Sequence, residues 1–126
     1  NIFGKEFRQY QAKKNNVIII AMIENINSVN RLDKILSVKG LDAILIGPYD
    51  LSASMGITGK FENIKFKSTI NEIKKVAKKN KVPCGIHIIE PNYQKLKKAI
   101  KQGYKFIPFA ADTVLLNNAL KKSFKK

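Results

Sequence analysis

The sequence predicts an α/β fold in which about four parallel strands alternate with helices. Three observations support this prediction: four short apolar runs recur, each precedes a segment with apolar residues at helical spacing, and the runs are apolar throughout. Uniformly apolar runs are typical of parallel strands that are buried on both faces. The runs are residues 17–23, 43–46, 84–89 and 106–110. Because 126 residues suit one hydrophobic core, we expect a single domain spanning residues 1–126.

Helical segments are predicted before the first strand and after the first two. The segment before the first strand carries Phe3, Phe7 and Tyr10. After the first strand, Ser28 is a candidate N-cap and Gly40 a candidate helix end. The apolar face between them consists of Val29, Leu32, Ile35 and Leu36. After the second strand and a longer loop, the helical face consists of Phe66, Ile70, Ile73, Val76 and Ala77.

Two further helices complete the pattern. Pro91 suits a first helical turn and Gly103 the position after a helix end, with an apolar face formed by Tyr93, Leu96 and Ile100. Asp112 is a candidate N-cap for a final helix with Leu115, Leu116, Ala119 and Leu120. This α(βα)₄ order implies parallel pairing through right-handed crossovers. An open doubly wound sheet and half of a closed barrel both fit, and length alone favours the open sheet.

Composition and charge indicate which functions and locations are expected. The formal charge of +15 would suggest an anionic partner such as nucleic acid. However, the lysines lie on the polar faces of predicted helices and no aromatic residues accompany them, so nucleic-acid binding is not expected. Glycine-rich phosphate loops are absent from the strand ends. The single cysteine, Cys84, fits a packed position in a reducing compartment, and without a long apolar segment we expect a cytoplasmic protein.

Two carboxylates follow the first two predicted strands. Glu24 ends the first strand and Asp50 follows the second, 26 positions later, which fits one strand–helix–strand unit. Neighbouring strands lie about 4.8 Å apart, and α/β folds build their sites at the carboxyl ends of such strands. Two converging carboxylates would repel each other unless a hard divalent cation bound between them. The alternative is that Asp50 only caps the following helix.

A cation with two protein ligands has positions for water and for a bidentate substrate. A 2-oxo acid offers one carboxylate oxygen and one keto oxygen for this purpose. Gly47 permits close approach of the backbone, Pro48 fixes the turn, and the amides of Tyr49 and Asp50 are candidate donors to the substrate carboxylate. The sequence therefore favours a site for a metal ion and a 2-oxo acid at this edge.

The residues at these strand ends resemble a known family. Residues 46–57, IGPYDLSASMGI, preceded by Met22-Ile23-Glu24, are similar to the HpcH/HpaI aldolase and citrate lyase family, in particular its 4-hydroxy-2-oxoacid aldolase branch. Residues 85–87, 103–107 and 111–113 match later strands of the family. The resemblance runs from about Phe3 to Leu120 and depends on the long G-P-x-D-L-S-x-S-x-G motif.

The resemblance implies a TIM (β/α)₈ barrel, of which this chain would supply strands five to eight. It implies cleavage or formation of 4-hydroxy-2-oxo acids, giving pyruvate and an aldehyde, with Mg²⁺, Mn²⁺ or Co²⁺ held by Glu24 and Asp50. Substrate contacts would come from Met22, Gly47, Pro48, Tyr49 and Asp50. Many relatives carry Gln where Met22 stands, which leaves substrate specificity open.

The resemblance also implies what the chain lacks. The family's acid–base histidine and its substrate-binding arginine come from the first half of the barrel, so this chain alone should turn over little or nothing. His87 is the only histidine, and we expect it to be packed or behind the site rather than to replace that base. We also expect a homo-oligomer. The alternative functions are a citrate lyase-like acyl-CoA lyase and a basic anion-binding or nucleic-acid-binding module without catalysis.

Overall fold

A parallel three-stranded sheet organises the protein. The computed structural model describes residues 17–124. The strands are β1 (Ile20–Ile23), β2 (Ala43–Ile46) and β3 (Cys84–Ile86), in the order β1-β2-β3. Ile23 pairs with Ile46, which pairs with Ile86. The predicted α/β fold with a parallel sheet is thus confirmed.

Within residues 17–124, six helices connect and follow these strands. They are α1 (Ile26–Val29), α2 (Leu32–Leu36), α3 (Pro48–Ser54), α4 (Ile64–Lys79), α5 (Tyr93–Lys101) and α6 (Asp112–Ser123). The longest, α4, begins at the N-cap Asn63, whose side chain accepts a hydrogen bond from the Lys65 amide. Its predicted apolar stripe is confirmed, because Phe66, Ile73 and Ala77 are buried.

The core lies on one face of the sheet, which we call the outer face. Ile23, Ile44 and Ile46 are at most 1% exposed and belong to one buried cluster with Ile73 of α4. Side chains alternate along a strand, so these residues share one face and their neighbours point to the other, which we call the inner face. Full burial of one such side chain contributes about 1.5–3 kcal/mol. The outer face therefore supplies most of the hydrophobic stabilisation of this sheet.

The prediction of a fourth strand at residues 106–110 is wrong. The segment runs parallel to β3 but makes only two isolated bridges, Gly85 with Phe106 and Ile88 with Phe109. Pro108 has no amide proton to donate to a ladder, and Ala110 has a φ of +68°, which ends the extended conformation. Pro108 therefore interrupts the hydrogen bonding of a regular strand in the middle of the segment, and Ala110 ends the segment.

Other element boundaries also differ from the prediction. Strand β1 begins at Ile20 rather than at residue 17, and the helix predicted after it is divided into α1 and α2. Asn25 caps α1 in place of Ser28, because the Asn25 side chain accepts from the Asn27 amide at 2.9 Å. Gly40 does adopt a left-handed conformation, with φ +91°, beyond the end of α2. The predicted helix over Phe3, Phe7 and Tyr10 lies outside the described residues.

The last two helices are placed as predicted but are packed differently. The N-cap of α5 is Asn92 and that of α6 is Ala111, so Pro91 precedes its helix and Asp112 is the first residue of its own. The buried residue of α5 is Ala99, whereas Ile100 is 59% exposed. In α6 no residue is buried. Within residues 17–124, no helix combines the length and apolarity needed to cross a bilayer.

Candidate functional site

The first part of the site is the inner face at the carboxyl end of β1. A Cβ atom built on Gly47 would lie 3.2 Å from Glu24 Cβ, 3.4 Å from Glu24 Oε2 and 3.7 Å from Met22 Sδ. The side chains of Met22 and Glu24 therefore share the inner face with Gly47, and the Glu24 carboxylate leans over the glycine. A side chain at position 47 would press against Glu24, so the glycine keeps this space free.

The second part of the site is the start of α3. Gly47 is the N-cap of this helix, Pro48 is its first residue, and Asp50 is an exposed acid in its first turn. Leu51, which follows directly, is completely buried and anchors the helix to the core. Asp50 at the surface thus directly precedes Leu51 in the core. The packing of Leu51 fixes the backbone position of Asp50.

Two serines of the motif tie these parts together. Ser54 Oγ accepts a hydrogen bond of 3.0 Å from the Ile26 amide, which joins α3 to the segment directly after Glu24. Ser52 is fully buried, and its Oγ donates to the Tyr49 carbonyl and accepts from the Gly59 amide. Both serines belong to the motif, but the motif predicted no role for them. The signal was the presence of small hydroxyl side chains within a helix, where they can bond to nearby backbone groups.

The amides of Tyr49 and Asp50 lie at the start of α3, and the Tyr49 ring packs against a neighbouring aromatic ring. The first intrahelical bond of α3 runs from the Leu51 amide to the Gly47 carbonyl, so the amides of Tyr49 and Asp50 precede the helical ladder. The Tyr49 ring packs edge-on against Phe61, with ring centroids 4.9 Å apart. The ring nevertheless remains 39% exposed and contributes to the wall of a cavity.

The third strand brings His87 to the same edge of the sheet. The His87 amide donates to the Ile46 carbonyl at 3.1 Å, which extends the pairing of β2 and β3 by one residue. The side chain is half-buried. Arg31, in contrast, is an exposed residue at the start of α2, away from the strand ends, and Arg8 lies outside the described residues.

Among residues 17–124, no cluster of three or more His, Cys, Asp or Glu side chains is arranged to hold a metal ion. In this part of the chain, Glu24 and Asp50 thus belong to no group of three such side chains. A cavity of about 580 Å³ lies beside α4 and α5 and is lined by neither Glu24 nor Asp50. Its lining does include Pro48, Tyr49 and His87, so the cavity reaches the edge of the sheet at which β2 and β3 end.

The strongly shifted ionisable groups lie away from the two carboxylates. Burial raises the pKa of the Cys84 thiol to about 11, and the nearby positive charge of Lys74 lowers it in part. Burial also raises the pKa of Tyr104. Cys84 packs against the core cluster of the outer face, which confirms the prediction of a packed side chain. Neither group takes part in the candidate site.

With this arrangement in view, comparison with known proteins identifies the class. The family model for HpcH/HpaI aldolase/citrate lyase matches residues 3–119, and the chain belongs to this family. The 5-keto-4-deoxy-D-glucarate aldolase of Citrobacter koseri is 30% identical over 129 residues, which cover 100% of this chain and 49% of the relative. The predicted family resemblance is confirmed.

Solved structures agree with this assignment. An HpcH/HpaI aldolase from Desulfitobacterium hafniense superposes with a TM-score of 0.79 at 27% identity, covering 92% of this chain and 45% of the other. The citrate synthase SbnG superposes with a TM-score of 0.76 at 25% identity, covering 94% and 48%. The chain thus spans about half the length of the curated relatives that it matches.

Proposed function

We propose that this chain is the metal- and pyruvate-binding half of a divalent-metal-dependent aldolase, which cleaves or forms 4-hydroxy-2-oxo acids to give pyruvate and an aldehyde. The observation that carries the proposal is the arrangement of two acids at one edge of the sheet. Glu24 leans over Gly47, and Gly47 begins the helix whose first turn holds Asp50. The family to which the chain belongs supports an aldolase or lyase.

The donor set fits a hard divalent cation. Two carboxylates offer oxygen ligands, and Mg²⁺, Mn²⁺ or Co²⁺ with so few protein ligands retains positions for water and for a chelating substrate. A cation held by Glu24 and Asp50 would supply Lewis-acid polarisation of the 2-oxo group. The fixed position of Asp50, directly before the buried Leu51, supports the role of a ligand that does not need to move on binding.

The remaining residues of the site would bind and orient the 2-oxo acid. The amides of Tyr49 and Asp50 precede the helical ladder of α3 and would donate hydrogen bonds to the substrate carboxylate. Gly47 and Pro48 keep the backbone close to this position. Met22 lies beside the Glu24 carboxylate and would contact the apolar part of the substrate.

A metal-binding experiment on the 126-residue chain tests the proposal. Titration with Mn²⁺, followed by the loss of the free-ion electron paramagnetic resonance signal, should show one site whose affinity increases when pyruvate is added. Glu24→Gln and Asp50→Asn should each weaken Mn²⁺ binding at least about tenfold, in line with the loss of a charged metal ligand. Glu72→Gln is the matched control, because Glu72 is an exposed acid on α4.

An unchanged affinity in both ligand variants would overturn the proposed site. Activity requires a second experiment, because the family's acid–base histidine and arginine are expected upstream of this chain. Alone, the chain should release little or no pyruvate from 4-hydroxy-2-oxo acids. An enzyme that joins it to the first half of the barrel should release pyruvate, and EDTA or Asp50→Ala should abolish that release.

A second candidate is a lyase or synthase acting on acyl-CoA esters. The similarity to the citrate synthase SbnG favours it, since that structure shows that the fold also carries a different carbon–carbon reaction. The two candidates are distinguished by supplying acetyl-CoA in place of an aldehyde to the completed enzyme. The aldolase proposal predicts no product that depends on acetyl-CoA.

We also propose that the chain works within an oligomer. The last helix, α6, exposes 49% of Leu115, 64% of Leu116 and 49% of Leu120. Adjacent to the sheet, Val17 and Ile18 are 70% and 71% exposed. Apolar side chains exposed to this extent are typical of association surfaces. Light scattering coupled to size-exclusion chromatography should give a mass above that of one chain, and Leu116→Glu should lower it.

A further inference from the structure

The cavity beside α4 and α5 has walls that are held in place. Lys74 of α4 reaches the end of α5, where its Nζ donates a hydrogen bond of 2.9 Å to the Gln102 carbonyl and lies 4.8 Å from the centroid of the Tyr104 ring. Gln102 and Tyr104 both line the cavity. Its volume of about 580 Å³ lies within the range of sites that bind small molecules. The cavity is therefore a preformed space whose size suits a ligand.

Three aromatic rings form a continuous wall of this cavity. The Phe61 ring packs edge-on against Tyr49, with centroids 4.9 Å apart, and at a tilt against Phe66, with centroids 5.4 Å apart. All three residues line the cavity, and Ile70 and Ala99 add apolar surface from α4 and α5. Aromatic rings attract one another in offset and edge-on arrangements beyond the effect of the area that they bury. The wall thus favours a ligand with a flat aromatic body.

The charges around the cavity leave one lysine without a carboxylate partner. The lining includes three lysines and two glutamates. Among residues 17–124 the ion pairs are Lys67 with Glu62 and Lys95 with Glu90, whereas Lys98 of α5 belongs to neither pair. The ion pair with Lys67 lowers the pKa of Glu62, and the positive charge of Lys98 lowers it further, so the field of Lys98 reaches the start of α4. One positive charge thus remains for a ligand.

We propose that this cavity binds an aromatic monocarboxylate, whose rings lie against the wall of Tyr49, Phe61 and Phe66 and whose carboxylate is bound by Lys98. The apolar wall and the single unpaired ammonium group match the two parts of such an anion. Neither metal ligand of the proposed function lines the cavity. The site is therefore distinct from the metal site, and the inference does not rest on the proposed function.

Other classes of ligand fit the lining less well. A dianion such as a phosphate monoester would bring a second negative charge towards Glu62 and Glu90, which line the same cavity. A fully apolar ligand would cover the ammonium group of Lys98 and give it no partner, which is unfavourable. An anion with one charge and an apolar body avoids both costs.

A matched pair of ligands tests the proposal. 2-Naphthoate and 2-naphthamide have the same ring system and nearly the same shape, and only the former is charged at pH 7. Equilibrium dialysis of the 126-residue chain in the presence of EDTA should show saturable binding of 2-naphthoate at one site. Its affinity should be about fivefold higher than that of 2-naphthamide, the size expected for one partly exposed ion pair. Lys98→Gln should bring this ratio close to one by weakening the binding of 2-naphthoate alone.

Control variants separate the cavity from the general charge and apolarity of the chain. Lys97→Gln removes the same charge from the neighbouring residue of α5, which lies over the Tyr93 ring and does not line the cavity. It should leave both affinities unchanged. Phe61→Leu removes the central ring of the wall and should weaken both ligands about threefold, whereas Phe124→Leu, at a residue that is 82% exposed, should weaken neither.

A second measurement does not depend on dialysis. His87 is the only histidine of the chain and also lines the cavity. The ring current of bound 2-naphthoate should shift the imidazole proton resonances, and the shift should saturate over the same range of ligand concentration as the dialysis. In Lys98→Gln that range should move to higher concentration.

Several results would overturn the proposal. They are the absence of saturable 2-naphthoate binding, equal affinities for the two ligands in the parent chain, and a preference for 2-naphthoate that survives in Lys98→Gln. Binding that requires Mn²⁺ and disappears in EDTA would place 2-naphthoate at the metal site, which would refute the role of the cavity and leave the proposed function standing. Because the dialysis is done in EDTA, a failure of the proposed metal site would not change its result.

Discussion

The two faces of the sheet are built from the same three strands but differ in what they present. On the outer face, Ile23, Ile44 and Ile46 are buried under α4. On the inner face, Met22 is 50% exposed and the exposed Glu24 leans over a glycine. Stability is thus concentrated on one face and the candidate chemistry on the other. Alternation along a strand allows both because successive side chains point to opposite faces of the sheet.

Substitutions on the two faces should therefore have different effects. A residue of the outer face should change the free energy of unfolding, whereas a residue of the inner face should change ligand binding at nearly constant stability.

The largest effect is expected from truncation of the outer face. Ile46→Ala should lower the free energy of unfolding by about 2–5 kcal/mol, because it leaves a cavity in a fully buried cluster. Met22→Ala, on the same sheet but half exposed, should change it by less than about 1 kcal/mol. Urea denaturation followed by circular dichroism measures both. Equal losses in the two variants would show that the faces do not differ in stability.

The next prediction compares alanine substitutions at Gly85 and Gly47, two glycines of the inner face. A Cβ at Gly85 would overlap the backbone carbonyl oxygen of Phe106, so Gly85→Ala should push away the segment beside β3 and destabilise the fold by about 1–3 kcal/mol. Gly47→Ala should instead displace the Glu24 side chain, which is 3.2 Å from the new atom, and weaken Mn²⁺ binding several-fold. If Gly47→Ala lost stability and kept its Mn²⁺ affinity, the assignment would be reversed.

A smaller effect is expected from the hydrogen bond that joins the two acidic segments. Ser54→Ala removes the acceptor of the Ile26 amide and should loosen Glu24 relative to Asp50, lowering Mn²⁺ affinity by a factor of about two to five. Ser37→Ala is the control, because the Ser37 hydroxyl bonds only locally, to the Lys34 carbonyl. Titration with Mn²⁺ should find the control equal to the parent chain.

The smallest effect is the pH dependence of the free energy of unfolding that comes from Cys84, which packs on the outer face. Burial raises the pKa of Cys84 from 9.0 to about 11, so the folded chain keeps a proton that the unfolded chain loses in this range. The free energy of unfolding should therefore fall as the pH rises from about 9 to about 11. Cys84→Ala should reduce this slope without removing it, since the pKa of Tyr104 is also raised by burial. Mn²⁺ binding is not expected to involve either group.

Much of the fold could be predicted because its signals are local. The 16 residues of α4 show their buried stripe at helical spacing, and β1–β3 are short apolar runs. The fourth strand could not be predicted correctly from such a run. Whether residues 106–110 form a ladder depends on the missing amide proton of Pro108 and on the left-handed backbone of Ala110. The prediction of Ser28 as N-cap was wrong because Asn25 and Ser28 are both good capping residues, and residue type alone does not decide between them.

Side-chain type and spacing along the chain encode the alternation of strands and helices, the family, and two acids at successive strand ends. Long-range packing instead brings Glu24 over Gly47, joins Ser54 to the Ile26 amide, and pairs the His87 amide with the Ile46 carbonyl. Each of these contacts joins residues more than 20 positions apart, and the register between parallel strands, which local spacing does not fix, brings them together.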